Sequence, residues 1–230
     1  MITVIAEAGI NHCGSLDRAL KMVEVAADAG ANVIKFQSFT ANKLGYDEKL
    51  TNFLRGVELS KDDHHKLKLK ADKCGIEFMS TPFSEDWVDF LVGLGVKRLK
   101  ISSGKAKEKA FIDYARNTGL PLIVSNGMVN EVDFVENTLY NDTALYCVSQ
   151  YPTPLHKVDF RNIEKLKDLF LHVGFSDHTN GIAASVIAAA SGAAVIEKHF
   201  TMDRRLSGPD QICSVEPDEL KQMIAEIRKI

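Results

Sequence analysis

The sequence predicts a TIM (β/α)8 barrel, and three observations carry that expectation. Short runs rich in β-branched and aromatic residues alternate eight times with amphipathic stretches. Nearly every run ends in a polar or ionisable side chain. The chain has 230 residues, 45% of them hydrophobic, enough for one full core. In a parallel barrel the strand carboxyl ends converge on one face, which is where such polar ends would build a site. A doubly wound open sheet is the runner-up. No linker or Pro/Ser-rich segment divides the chain, so residues 1–230 are expected to form a single domain.

The first strand runs from Ile2 to Glu7. Leu16, Leu20, Val23 and Ala27 then recur at helical spacing until Gly30 stops the helix. Strand two is Val33 to Gln37. After a polar stretch, Ser60 is placed to cap a helix from about Lys61 to Lys73. Strand three, Glu77 to Thr81, leads to a helix over Glu85 to Leu94. Strand four, Arg98 to Ser102, leads to one over Lys107 to Asn117. Strand five, Pro121 to Ser125, precedes a short helix near Val132 to Leu139. Strand six, Ala144 to Val148, precedes a helix over Arg161 to Leu169. Strand seven is Val173 to Ser176, with a small-residue helix from Ile182 to Ser191. Strand eight is Ala194 to His199, and the last helix opens at Pro217-Asp218.

Composition narrows the function classes. Lys plus Arg total 28 and Asp plus Glu 31, a formal charge of -3 without a basic tail, which argues against a nucleic-acid partner. No apolar run reaches the roughly 18 residues of a membrane helix. The N-terminus lacks the basic region and apolar core of a signal peptide. Cys13, Cys74, Cys147 and Cys213 form no C-x-x-C pair, so they read as reduced thiols in a cytoplasmic protein.

The polar strand ends carry the chemistry. Lys35 and Lys100 interrupt strands whose interior should be apolar, and a buried unpaired ammonium is costly. Both are therefore expected to face an anion. Neighbouring serines and a threonine would add donors for a small ligand bearing phosphate and carboxylate groups. Snorkelling to the rim is the alternative. His178 and His199 end adjacent strands and suggest a divalent metal; imidazole suits Mn, Co, Zn or Fe better than Ca or Mg. A pair of ordinary loop histidines is the alternative there. His12 is a third candidate. His64 and His65 fall in an exposed helix start and, like His156 and His172, are expected to be uninvolved.

Nine segments occur in a fixed order: Ala6-Glu7-Ala8-Gly9-Ile10-Asn11-His12, Lys35-Phe36-Gln37-Ser38, Ser80-Thr81-Pro82-Phe83, Lys100-Ile101-Ser102-Ser103-Gly104, Ser125-Asn126-Gly127-Met128, Tyr151-Pro152-Thr153-Pro154, Ser176-Asp177-His178-Thr179, Glu197-Lys198-His199-Phe200-Thr201 and Gly208-Pro209-Asp210. Together they cover nearly the whole chain and resemble the sialic acid synthase family. The resemblance implies condensation of phosphoenolpyruvate with an N-acetylated amino-sugar aldehyde, N-acetylmannosamine or a relative, giving a sialic acid or related nonulosonate plus phosphate. It implies that Lys35, Thr81, Lys100, Ser103, Ser125 and Ser176 bind phosphoenolpyruvate. Glu7 would be the catalytic carboxylate, and Gln37, Tyr151 and Asp210 would contact the sugar. His178 and His199 would ligate a divalent cation, manganese or in its place magnesium or cobalt.

Three departures fall on the sugar side. The family carries an acidic residue after the Lys-Ile-x-Ser-Gly segment, where this chain has Lys105. That reversal removes hydroxyl acceptors and would disfavour neutral N-acetylmannosamine, unless Lys105 turns to solvent. The family also has a C-terminal antifreeze-like domain that reaches the partner's sugar site across a dimer. The sequence ends at Ile230, so a truncated or barrel-only member is expected, and a homodimer without the swapped domain. The segments after strands two and five are shorter than usual, and Ser149 stands where an asparagine is common. Two other readings stay open: another phosphoenolpyruvate-using or aldolase-type barrel enzyme, and a degenerate barrel that binds a metabolite or partner without turnover.

Overall fold

A computed structural model describes all 230 residues, with the eight strand–helix units in the expected order. The strands are β1 (Thr3–Gly9), β2 (Val33–Ser38), β3 (Glu77–Pro82), β4 (Leu99–Ile101), β5 (Leu122–Ser125), β6 (Thr143–Cys147), β7 (His172–Asp177) and β8 (Val195–His199). They form one parallel sheet in the order β3-β2-β1-β8-β7-β6-β5-β4. β3 and β4 stand side by side at the remaining seam without ladder pairing, so the barrel is nearly closed.

Strand alternation explains both faces of the sheet. Ile5, Val33, Met79, Ile123, Leu145 and Val195, one from each of six strands, form their own buried apolar cluster inside the barrel. β7 contributes Gly174 to this layer. A Cβ there would lie 2.4 Å from the Val195 carbonyl oxygen and 2.6 Å from Leu145 Cδ2. Two residues further along the same strands stand Glu7, Lys35, Thr81, Ser125, Cys147, Ser176 and Glu197, and β4 adds Lys100. The barrel interior thus changes from apolar to ionic in a single step of the pleat. The opposite faces, with residues such as Val4, Ile34, Phe36, Phe78, Leu99 and Ile196, join the larger core against the helices.

The helices are α1 (Leu16–Asp28), α2 (Glu48–Arg55), α3 (Lys61–Cys74), α4 (Glu85–Leu94), α5 (Lys109–Asn117), α6 (Glu131–Asn137), α7 (Arg161–Lys167), α8 (Ala183–Ala190) and α9 (Pro217–Ile227). Ser60 caps α3 as expected, accepting from the Asp63 amide at 3.1 Å within a capping box. α2 replaces what the sequence suggested was only a polar stretch. Asp47 starts it by accepting from the Leu50 amide at 2.9 Å, and Leu54 is its one buried residue. No helix is long and apolar enough to cross a membrane. All four cysteines are free thiols.

Candidate active site

The strand carboxyl ends enclose a cavity of about 70 Å³. It is lined by Glu7, Lys35, Gln37, Thr81, Lys100, Ser103, Ser125, Tyr151, Ser176, His178 and His199. These are all but one of the residues to which the family resemblance gives a role. The exception, Asp210, sits on the loop after β8 with Oδ2 3.8 Å from His199 Nδ1. The cavity is also lined by Phe83, Ser102, Cys147 and Glu197, which the sequence reading gave no role.

Glu197 is the centre of the ionic layer. Its Oε1 lies 3.6 Å from Lys100 Nζ and accepts from Ser176 Oγ at 2.9 Å, while Oε2 lies 3.6 Å from Lys35 Nζ. Lys35 Nζ is also 2.7 Å from Glu7 Oε2 and donates to Thr81 Oγ1 at 3.0 Å. Lys100 Nζ donates to Ser125 Oγ at 2.8 Å. Both lysines are buried, so neither snorkels to the rim. Two carboxylates and two ammoniums share one dry volume, and their environments push them apart. Burial raises the Glu7 carboxyl well above its usual range, with Lys35 only partly offsetting it. Burial would raise Glu197 as well, but Lys100 and Lys35 outweigh it and hold the carboxylate ionised. Lys35 stays charged because Glu197 and Glu7 overcome burial, whereas burial lowers Lys100 despite Glu197. The layer therefore has an ionised carboxylate, a carboxyl poised to carry a proton, and ammonium donors with hydroxyls around them.

The two imidazoles stand beside this layer with ring centroids 5.6 Å apart. His178 Nδ1 faces the Val148 carbonyl at 2.7 Å. Only a donor fits there, so Nε2 keeps its lone pair and accepts from the Tyr151 hydroxyl at 3.0 Å. His199 Nδ1 is buried without a hydrogen-bond partner. Burial and then the neighbouring His199 lower His178 to about 4; burial and then Lys35 lower His199 to about 3. Both rings are neutral near pH 7, the state that ligates a metal. No third His, Cys, Asp or Glu completes a cluster of ligands with them. The two imidazoles would suit only a cation whose remaining positions were filled by water and substrate oxygens.

The turn carrying His178 is braced from the outer side of the sheet. Lys198 and Asp177, both fully buried, form an ion pair at 3.2 Å. Lys198 also donates to the Thr179 carbonyl at 2.5 Å, and Ser185 donates to Asp177 at 2.6 Å. Three expectations need correction. His12 is not part of the site: it is buried outside the cavity, its Nδ1 accepting from the Gly14 amide at 3.1 Å. His64 is fully buried rather than exposed. It packs on Trp87, Phe78 and Phe90, with Nε2 2.7 Å from Ser38 Oγ and Nδ1 2.8 Å from the Ser60 carbonyl. Lys105 does not present its ammonium to the cavity. It pairs with Glu108 at 2.8 Å and lies 5.1 Å above the Phe111 ring.

The NeuB family profile matches residues 22–230. N,N'-diacetyllegionaminic acid synthase of Campylobacter jejuni is 42% identical, over 99% of this chain and 75% of that protein. Human N-acetylneuraminate-9-phosphate synthase is 32% identical, over 99% of this chain and 69% of that protein. The crystal structure of N-acetylneuraminic acid synthetase from Leptospira borgpetersenii, in complex with citrate, superposes with a TM-score of 0.93 at 35% identity. It covers 99% of this chain and 83% of that one.

Proposed function

The chain belongs to the NeuB family, and from that membership and the cavity's geometry we propose that it condenses phosphoenolpyruvate with an amino-sugar aldehyde, releasing a nonulosonic acid and phosphate. The observation that carries the proposal is the ionic layer. Lys35 and Lys100 stand among Thr81, Ser125 and Ser176, one pleat above an apolar floor and beside two neutral imidazoles.

Phosphoenolpyruvate is a compact, highly charged anion, and the two ammoniums with their hydroxyl partners suit its phosphate and carboxylate. Ser103, 3.1 Å from Ser149, adds a donor at the mouth. Carbon 3 of the enol attacks the aldehyde carbon and forms the new carbon–carbon bond, the carbonyl π bond breaks, and its oxygen takes up a proton from solvent to become a hydroxyl. Carbon 2 then bears positive charge and takes up water. Glu7, already driven toward holding a proton, orients that water and accepts its proton. The carbon–oxygen bond to phosphate breaks, and the lysines stabilise the departing charge. His178 and His199 would hold a divalent cation, manganese or in its place magnesium or cobalt, which when bound supplies a Lewis acid for the aldehyde oxygen. Gln37 and Tyr151, which line the cavity, and Asp210, 3.8 Å from His199, would meet the sugar. Glu197 keeps both lysines in register.

The test is phosphate release from phosphoenolpyruvate with manganese and a panel of acceptors. Removing the three pyruvate carbons from each relative's product defines the panel: N-acetylmannosamine, its 6-phosphate, and the diacetamido hexose that precedes N,N'-diacetyllegionaminic acid. Release that requires one of these sugars, stops with a chelator and returns with manganese is expected. His178→Ala should lose tight manganese binding by calorimetry. Release indifferent to all three sugars would overturn the proposal.

A further inference from the structure

Asn11 belongs to the Glu7-to-His12 segment, yet the chemistry above leaves it without a task. It is 1% exposed. Its Nδ2 donates to the Phe200 carbonyl at 2.8 Å and to Ser214 Oγ at 2.8 Å. The Phe200 carbonyl can only accept, so the orientation of the amide is fixed. Ser214, also 1% exposed, donates its one hydroxyl proton to the Asp210 carbonyl at 2.7 Å and so can only accept from Asn11. The result is a one-way relay from the Asn11 amide through the Ser214 hydroxyl to the Asp210 backbone. Asn11 Oδ1 has no partner at all, an unfavourable condition for a buried amide. An apolar residue would fill that space without the penalty, so the two donated bonds are what the position requires.

The relay joins the parts of the site. Phe200 follows His199 directly, and its amide donates to the Glu7 carbonyl at 2.8 Å. The Val215 amide donates to the His199 carbonyl at 2.9 Å. Asn11 therefore ties the ends of β1 and β8 to the one segment that brings Asp210 within 3.8 Å of His199. That loop runs from β8 to α9 with no strand of its own. Asp210 opens a single 3-10 turn, Gln211–Cys213. Cys213 Sγ also donates to its carbonyl at 3.2 Å, and the buried Gln211 side chain ties the turn to the Asn11 carbonyl at 3.4 Å.

We infer that Asn11 and Ser214 are positioning residues for acceptor recognition, fixing Asp210 over the cavity through this relay. The inference rests on the reading that Asp210 accepts hydrogen bonds from sugar hydroxyls. Neither residue lines the cavity, and neither bonds a side chain of the ionic layer, so their loss is expected to fall mainly on the Asp210 side of the site. A displaced carboxylate forfeits a charge-assisted hydrogen bond to the sugar.

The experiment is steady-state kinetics on Ser214→Ala and Asn11→Ala, with the panel sugar that wild type turns over. The KM for the sugar should rise about tenfold, while the KM for phosphoenolpyruvate stays within about twofold. Ser214→Thr, which keeps the hydroxyl, should restore the sugar constant. In an Asp210→Ala background, Ser214→Ala should have no further effect on that constant. Equal weakening of both substrates, or a Ser214→Ala effect that persists without Asp210, would overturn the inference. Should Ser214→Ala fail to fold, the same cycle with Asn11→Ala decides it. Wild-type inactivity with every panel sugar would instead sink the functional reading itself.

Discussion

Lys35 and Asp210 serve the same cavity by different means. Lys35 is placed by strand register: Glu7 and Met79 are its ladder partners, and the pleat leaves its side chain facing inward. Asp210 is placed by a loop, through a few hydrogen bonds from Ser214 and Cys213. The inner layer is thus rigid and repeats around the barrel, whereas the rim depends on individual tethers. Strand-borne groups can hold a fixed geometry for the phosphoenolpyruvate common to the reaction, while loops can change the acceptor without disturbing it.

Glu7→Gln should produce the largest break. It keeps the shape of the inner layer but removes the proton acceptor. Turnover should fall by about 10²- to 10⁴-fold, with phosphoenolpyruvate binding retained in calorimetry. A loss of binding equal to the loss of rate would mean that Glu7 holds the layer together and does no chemistry.

Lys100→Met comes next. A charge-assisted contact contributes about 1.5–3 kcal/mol, so the KM for phosphoenolpyruvate should rise roughly 10- to 100-fold. The sugar constant should move little, because the rim is anchored elsewhere. A change under about twofold would place the anion away from Lys100.

The smallest effect is expected at Lys105, where sequence and structure disagree. Its ammonium is taken up by Glu108 and the Phe111 ring. Lys105→Glu should therefore shift the sugar constant by less than about twofold, as surface changes away from a site do. A large gain with N-acetylmannosamine would show instead that this position faces the acceptor.

The same contrast explains what was legible in the sequence. Lys35, Lys100 and the strand-end hydroxyls stand out because ionisable groups in barrel strands are costly unless a ligand or counterion justifies them. Glu197 was harder to single out. Three polar residues follow one another in Glu197-Lys198-His199, and only the register shows that the outer two face the cavity while Lys198 turns outward to Asp177. His64 looks exposed from its neighbours because Asp62, Asp63, His65 and Lys66 around it are polar. Its burial comes from Phe78, Trp87 and Phe90, which lie distant in sequence. α2 is hard to see in the sequence because a helix that buries only Leu54 leaves almost no periodic signal. Lys105 shows the limit of the motif: its place in the chain is clear, but its direction is set by Glu108 and Phe111.

The most direct test of the account concerns where water enters. In the proposed reaction Glu7 directs water to carbon 2, and the lysines receive phosphate as it leaves with its bridging oxygen. The reaction should be run in ¹⁸O-enriched water and the released phosphate read by phosphorus NMR. The account predicts phosphate free of the label. Phosphate carrying one ¹⁸O would show that water attacks phosphorus, contradicting both the role of Glu7 and the proposed order of steps.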